Sequence, residues 1–435
     1  MQKRLNLFIV ALLAFSVNAI AQDSTNPVDT LTSYVEKMNT VITNMQKLKV
    51  SGYIQFQYQK ADSMGVKSFA GGDFDAKTDS RFALRRGRVK FAYAGTLSNY
   101  VLQFDVTEKG LAIKDAYINF TDPWLQALTI TGGVFNRPFG YEIAYSSSQR
   151  ESPERARFTQ TLFPGERDLG GMLTFQMPKV SRWNFIKVDA GYFTGNGTNP
   201  EFDKKKDFIG RIGIVKATSS ETIRYGLGLS YYNGGVYQGT KAAYVMSDAS
   251  GVQVFSKLAA DTTVGSFLKR EYKGIDAQLT VESFLGLTTM RGEYVFGIQP
   301  GQSKSSTSPT TDFTKVTAPA TVPDAYVRKF NGAYVYFVQS IANTPLTLVA
   351  KYDIYDPNTK VKGDEVGASA TGMKATTAAD LKYTTLGLGA VFAVSNNVKL
   401  TAYYDMVKNE TSSNLSGYTK DLKDNVFTFR MQYKF

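Results

Sequence analysis

Residues 427–435 read Phe427-Thr428-Phe429-Arg430-Met431-Gln432-Tyr433-Lys434-Phe435. Phe427, Phe429, Met431, Tyr433 and Phe435 alternate with Thr428, Arg430, Gln432 and Lys434. A period of two sends successive side chains to opposite faces of a β-strand, here one apolar and aromatic, the other polar and charged. A strand of a soluble sandwich can alternate in the same way. Repetition along the chain decides between the two.

The pattern recurs from Val50 onward. Ile54, Phe56 and Tyr58 alternate with glutamines, and Val89, Phe91 and Tyr93 with Arg88 and Lys90. Ile223, Tyr225, Leu227, Leu229 and Tyr231 flank Arg224 and Ser230. Sixteen segments follow: 50–59, 82–95, 100–107, 112–120, 128–137, 168–177, 184–194, 207–216, 221–232, 269–281, 287–297, 329–340, 345–354, 382–393, 398–407 and 425–435. Most can cross a bilayer at the tilt of a barrel strand. Connections alternate between short turns and long loops, the long ones being 60–81, 138–167, 195–206, 233–268, 298–328, 355–381 and 408–424. Only the Glu108-Lys109-Gly110 turn breaks the rule. Short turns at one end and long loops at the other predict an all-β, transmembrane antiparallel β-barrel of about 16 strands, with a short N-terminal helix. Trp124 and Trp183 fall at short turns, where an aromatic belt would hold them.

Composition narrows the function. The 435 residues contain neither cysteine nor histidine. Disulfides, thiolate metal sites, Ser-His-Asp hydrolysis and HExxH zinc chemistry are excluded, while aspartate pairs, Ser-Lys pairs and carboxylate–magnesium sites stay open. No cofactor, no metal and no enzymatic activity are expected. The 29 Phe and 26 Tyr read as a lipid-facing wall with its belts. The net charge of +12 fits an anionic solute or surface, and no aromatic-basic motif points to nucleic acid.

Residues 1–21 read as a signal peptide: Lys3 and Arg4, a mostly apolar Leu5 to Val17, and an Ala19-Ile20-Ala21 cleavage site. The mature chain would begin at Gln22 with a charge of +10. Residues 22–49 form a periplasmic helical segment on this reading, and residues 50–435 an outer-membrane barrel. Leu31, Tyr34, Met38, Val41, Met45 and Leu48 make a short heptad seam. It serves either one amphipathic helix packed on the chain or a coiled coil joining three copies.

Parity then assigns the lumen. Arg86, Arg88, Lys90, Lys187, Arg211, Arg224, Arg291, Lys399, Arg430 and Lys434 face inward, against Asp105, Asp115, Asp189, Asp276, Glu293 and Asp405. Arg85 belongs to the opposite face on strict alternation, or to the rim. An excess of four positive charges leans toward anions. The connection 138–167 follows the fifth strand, which makes it the third loop at the long-loop end, and carries Arg150, Glu151, Glu154, Arg155, Arg157, Glu166 and Arg167. Folded inward it would narrow the pore, with arginine set against carboxylate. Folded outward it would be a surface loop with ion pairs.

Arg85-Arg86-Gly87-Arg88, Phe104-Asp105, Lys114-Asp115-Ala116-Tyr117-Ile118, Phe135-Asn136-Arg137-Pro138-Phe139-Gly140 and Arg167-Asp168-Leu169-Gly170 resemble the phosphate-selective porin O and P family. The resemblance spans residues 50–435. It implies a homotrimeric sixteen-stranded channel with an arginine-lined lumen, an inward third loop, and Arg85, Arg86, Arg88 and Asp105 at the pore lining. The expected function is passive diffusion of small hydrophilic solutes, anions preferred and phosphate among them. The expected surroundings are outer-membrane lipid and lipopolysaccharide. The alternative is a plugged barrel acting as a surface binding or adhesion protein.

Overall fold

The structure is a computed structural model that describes residues 34–39, 47–239, 242–258, 265–309 and 324–435. The signal segment 1–21 and the seam positions Leu31, Val41 and Met45 lie outside the described residues. Residues 34–39, which carry Tyr34 and Met38, are helical.

Among the described residues there are eighteen strands: β1 (Leu48–Ala61), β2 (Ser80–Ala94), β3 (Ser98–Thr107), β4 (Gly110–Thr121), β5 (Leu128–Asn136), β6 (Arg167–Phe175), β7 (Ile186–Phe193), β8 (Asp207–Ala217), β9 (Ile223–Tyr237), β10 (Ala243–Ala249), β11 (Val252–Lys257), β12 (Phe267–Ser283), β13 (Gly286–Gly301), β14 (Ala325–Ile341), β15 (Leu346–Asp356), β16 (Tyr383–Ala393), β17 (Val398–Asn409) and β18 (Val426–Lys434). Sixteen of them close an antiparallel ring. β9 pairs with β12, from Ile223 opposite Val281 to Tyr237 opposite Phe267. β1 meets β18, from Tyr53 opposite Lys434 to Ala61 opposite Val426, and also borders β2. Closure leaves no unpaired edge. All sixteen segments expected from the alternation are found.

β10 and β11 are the difference. They form a hairpin inside 233–268, where the alternation gave only a loop. β10 also runs parallel to the start of β14, with Ala243 opposite Ala325. The reason is packing: Tyr244 stacks on Tyr326 at 4.9 Å, and Phe255 meets the same ring edge-on at 5.0 Å.

The wall is inverted relative to a soluble protein. Thr428, Arg430 and Gln432 are 0%, 4% and 3% exposed, whereas Phe429, Met431 and Tyr433 are 42%, 47% and 51% exposed. Ile54, Phe56, Phe120, Ile130, Leu173, Leu227 and Leu229 continue the outward apolar band. Such a band around a closed ring is stable facing lipid, so the fold is that of a transmembrane barrel. Trp124 and Trp183 are exposed at the short-turn end.

The expectation that the aromatic surplus belongs to lipid holds only in part. Tyr232, Tyr272, Tyr334, Tyr336, Tyr355 and Tyr403 are buried, and they pack with Phe139, Phe158, Leu162 and Phe163. These four come from the connection after β5. A tyrosine fits an inward slot because its ring packs while its hydroxyl finds a polar partner.

Candidate functional site

The β5–β6 connection turns into the ring at Gly140. Its φ of +61° is left-handed, and its N–H donates to Ser230 Oγ at 2.9 Å. A Cβ there would collide with the Glu293 carboxylate. Glu293, on β13, accepts from the N–H groups of Tyr141 and Glu142 at 3.1 and 3.2 Å, and from Tyr334 at 3.2 Å. Glu142 in turn accepts from Ala156 N at 3.1 Å and Thr159 Oγ1 at 2.7 Å, at the start of a helix α1 (Arg157–Leu162). The wall leaves room for two phenyl rings. A Cβ at Gly332 would lie 2.6 Å from Phe158, and one at Gly274 would lie 2.9 Å from Phe139.

On the opposite wall, Glu154 of this connection meets a cluster of arginines. Arg85 holds it through Nε at 2.9 Å and Nη2 at 3.0 Å. Arg86 donates at 2.7 Å and Arg430 at 2.9 Å, while Arg150 stands at 4.0 Å. Gln55 and Gln57 accept from Arg86 and Arg430. Burial pushes the Glu154 carboxyl up, but the arginines outweigh it and hold it well below the usual carboxylate range. Four cations therefore share one carboxylate, and Arg150 Nη1 has no partner among the described residues.

Arg85 corrects the strict alternation. Arg85 and Arg86 are neighbours in sequence, yet both reach Glu154. Arg81 reaches inward to Gln59 at 3.0 Å, so inward parity changes between Arg85 and Arg86. A register shift opposite Lys114 and Asp115 does the same on β4.

The other expected wall residues are distributed as follows. Arg88 pairs with Asp105 at 3.2 Å, Lys187 with Asp189 at 2.9 Å and Arg211 with Asp276 at 2.7 Å. Asp115 takes Arg167 at 3.0 Å, and Arg167 also binds Glu166 at 2.8 Å. Arg155 bonds Glu166 and the carbonyls of Glu142, Ile143 and Tyr145. Burial draws its pKa down to about 10. Arg291 is paired to Glu151 and lies over the ring of Tyr145. Lys399 donates to the Ser148 carbonyl at 2.8 Å. Lys90 and Lys434 border a cavity at the short-turn end. Arg224 stands apart, exposed at the start of β9.

The alternation also contained residues it did not single out. Lys351 and Asp353 form a buried pair at 3.0 Å, in the same parity as Tyr355. Arg270 with Asp207, Arg137 with Asp168 and Arg328 with Asp380 are further buried pairs.

Three spaces lie along the inward connection. A cavity of about 750 Å³ lies at the long-connection end, and one of about 330 Å³ lies at the short-turn end. A smaller space of about 20 Å³, termed the constriction, shares residues with both; Phe69, Glu154, Arg155, Arg157, Lys351 and Asp405 border it. Lys67, Phe69, Arg157 and Asp424 border both the outer cavity and the constriction, and Arg155 borders both the constriction and the lower cavity.

The barrel is similar to OprB of Pseudomonas putida, with a TM-score of 0.51 and 10% identity over 92% of this chain and 97% of that one. It is similar to the outer membrane channel DcaP of Acinetobacter baumannii, with a TM-score of 0.50 and 12% identity over 89% of this chain and 97% of that one. At these identities the likeness is one of fold. No protein-family model and no curated protein matches the sequence.

Proposed function

We propose that the chain is an outer-membrane diffusion channel for small hydrophilic solutes, with a preference for anions. The observation that carries this reading is the succession of cavities past Glu154, where Arg85, Arg86, Arg150 and Arg430 share one carboxylate. Fixed guanidinium groups replace part of an anion's lost hydration, and Arg suits oxyanions through its fork of donors. Phosphate falls within that class, in keeping with the resemblance of the arginine-bearing strands to phosphate-selective porins. The similarity of fold to an outer membrane channel supports the reading. The reading includes a homotrimer, which cross-linking of the purified protein tests.

The direct test is insertion of purified protein into a planar bilayer. Stepwise ionic conductance is expected, and a bilayer that stays silent overturns the channel. One observation favours a second reading, a plugged barrel that binds at its outer face. The constriction is only about 20 Å³. A silent bilayer together with a ligand retained at the long-connection end would select it.

A further inference from the structure

Arg157 opens α1 at the floor of the outer cavity. Its guanidinium carbon lies 3.8 Å from the ring centre of Tyr383 and 4.4 Å from that of Phe69. The residue is 9% exposed, and its Nε has no hydrogen-bond partner among the described residues. Every other buried arginine among them holds a carboxylate within 4.0 Å, and Arg157 holds none. Rings take a guanidinium by its faces, which leaves the in-plane donors to a ligand. A buried charge without an anionic partner is costly, so the site favours an anion.

Two features narrow the class. Asp353 and Asp424 border the same constriction, beyond ion-pair reach of Arg157, and they disfavour a doubly charged ligand. Above Arg157 the cavity offers the rings of Tyr355 and Tyr418 and the hydroxyls of Ser305, Ser306 and Thr377. Hydroxyls donate and accept, as a polyol requires, and the rings suit its C–H faces. We propose that Arg157 anchors a binding site for hydroxylated monocarboxylates of the size of gluconate: the carboxylate on the guanidinium, the polyol chain in the outer cavity. This deepens the channel reading and rests on it for its purpose, since the site stands at the entrance to the constriction.

The test is binding of sodium gluconate to the purified barrel in detergent, followed by saturation-transfer NMR, with glucose and inorganic phosphate as comparisons. Gluconate should bind, glucose should bind at least tenfold more weakly, and phosphate should displace gluconate only in excess. Arg157→Gln should weaken gluconate at least tenfold, with Arg157→Lys between. Asp424→Asn keeps Arg157 in place and should tighten gluconate severalfold, so the proposal stays testable if Arg157→Gln does not fold. Equal affinity of Arg157→Gln, equal binding of glucose, preference for phosphate, or no response in Asp424→Asn each overturns it. Bilayer current on the same preparation separates the two readings. Gluconate binding without conductance removes the channel and leaves the site, and conductance without gluconate binding removes the site alone.

Discussion

Glu154 accepts from Arg86 Nη2 at 2.7 Å across 68 positions of sequence, and this pair ties the inward connection to the barrel wall. Removing the charge should change both selectivity and stability. Two unit charges 4 Å apart interact by about 1 kcal/mol in water. Glu154→Gln should therefore raise the anion-to-cation permeability ratio by roughly fivefold on that figure. Breaking a buried pair costs about 3–5 kcal/mol, an upper bound here because glutamine keeps some hydrogen bonds. Thermal unfolding of the variant should come earlier. An unchanged reversal potential would show that the cluster does not act on permeating ions.

Asp424 makes the outer cavity sensitive to pH. Burial raises its carboxyl to about 6, against the opposing pull of Arg157, with Asp421 and Asp62 reinforcing the rise. Lys67, Asp73 and Lys423 face the same cavity. Above pH 6 Asp424 is charged, and below it is neutral. Anion preference should rise as the pH falls from 7.5 to 5, with a midpoint near 6. Asp424→Asn should flatten that profile, and a variant that keeps the midpoint would assign it elsewhere.

Gly332 is the seat of Phe158. A valine there must displace the ring, and overpacking of this kind costs about 1–3 kcal/mol. α1 then moves off β14 toward the constriction, so Gly332→Val should lower single-channel conductance. Gly132 offers a control, since its φ is not left-handed and nothing stands within 4 Å of a Cβ there. Unaltered conductance in Gly332→Val would mean that α1 does not border the path.

Asp122 organises a short turn. Its carboxylate accepts from the N–H groups of Trp124, Leu125, Gln126, Ala127 and Leu128 at 2.7–3.2 Å. Bonds from the N–H groups of Leu128 and Leu125 lower its pKa to about 2. A lowered carboxyl contributes stability above its unfolded value, and that stability is lost as pH falls through the folded value. Asp122→Ala should unfold at a lower temperature than the parent at pH 7. The gap should close between pH 4 and pH 2, and a gap constant over that range would refute the carboxylate's role.

Much of this was legible in the alternation, because a period of two is local and lipid enforces it on one face. Arg86, Arg88, Arg211 and Arg430 could be assigned inward from neighbours alone. Arg85 could not, because one change of parity reverses every assignment on its side. The hairpin at 243–257 was hidden for another reason. Its short strands are held by Tyr326, far along the sequence. Tyr232 and Tyr334 looked like lipid-facing aromatics by composition, yet they receive Phe163 and Phe158. Gly332 makes room for Phe158 and Gly274 for the neighbouring Phe139, and nothing near those glycines announces it. Carboxylates on the inward connection also neutralise charges that parity counted as free, Arg291 by Glu151 among them.

The most direct test is the zero-current reversal potential of the purified protein in a bilayer under a potassium chloride gradient. The account predicts open channels whose potential carries the sign of chloride permeation, shifted toward cations when Arg86 and Arg88 are both replaced by glutamate. A potential of the potassium sign in the parent protein, or no conductance at all, would contradict it.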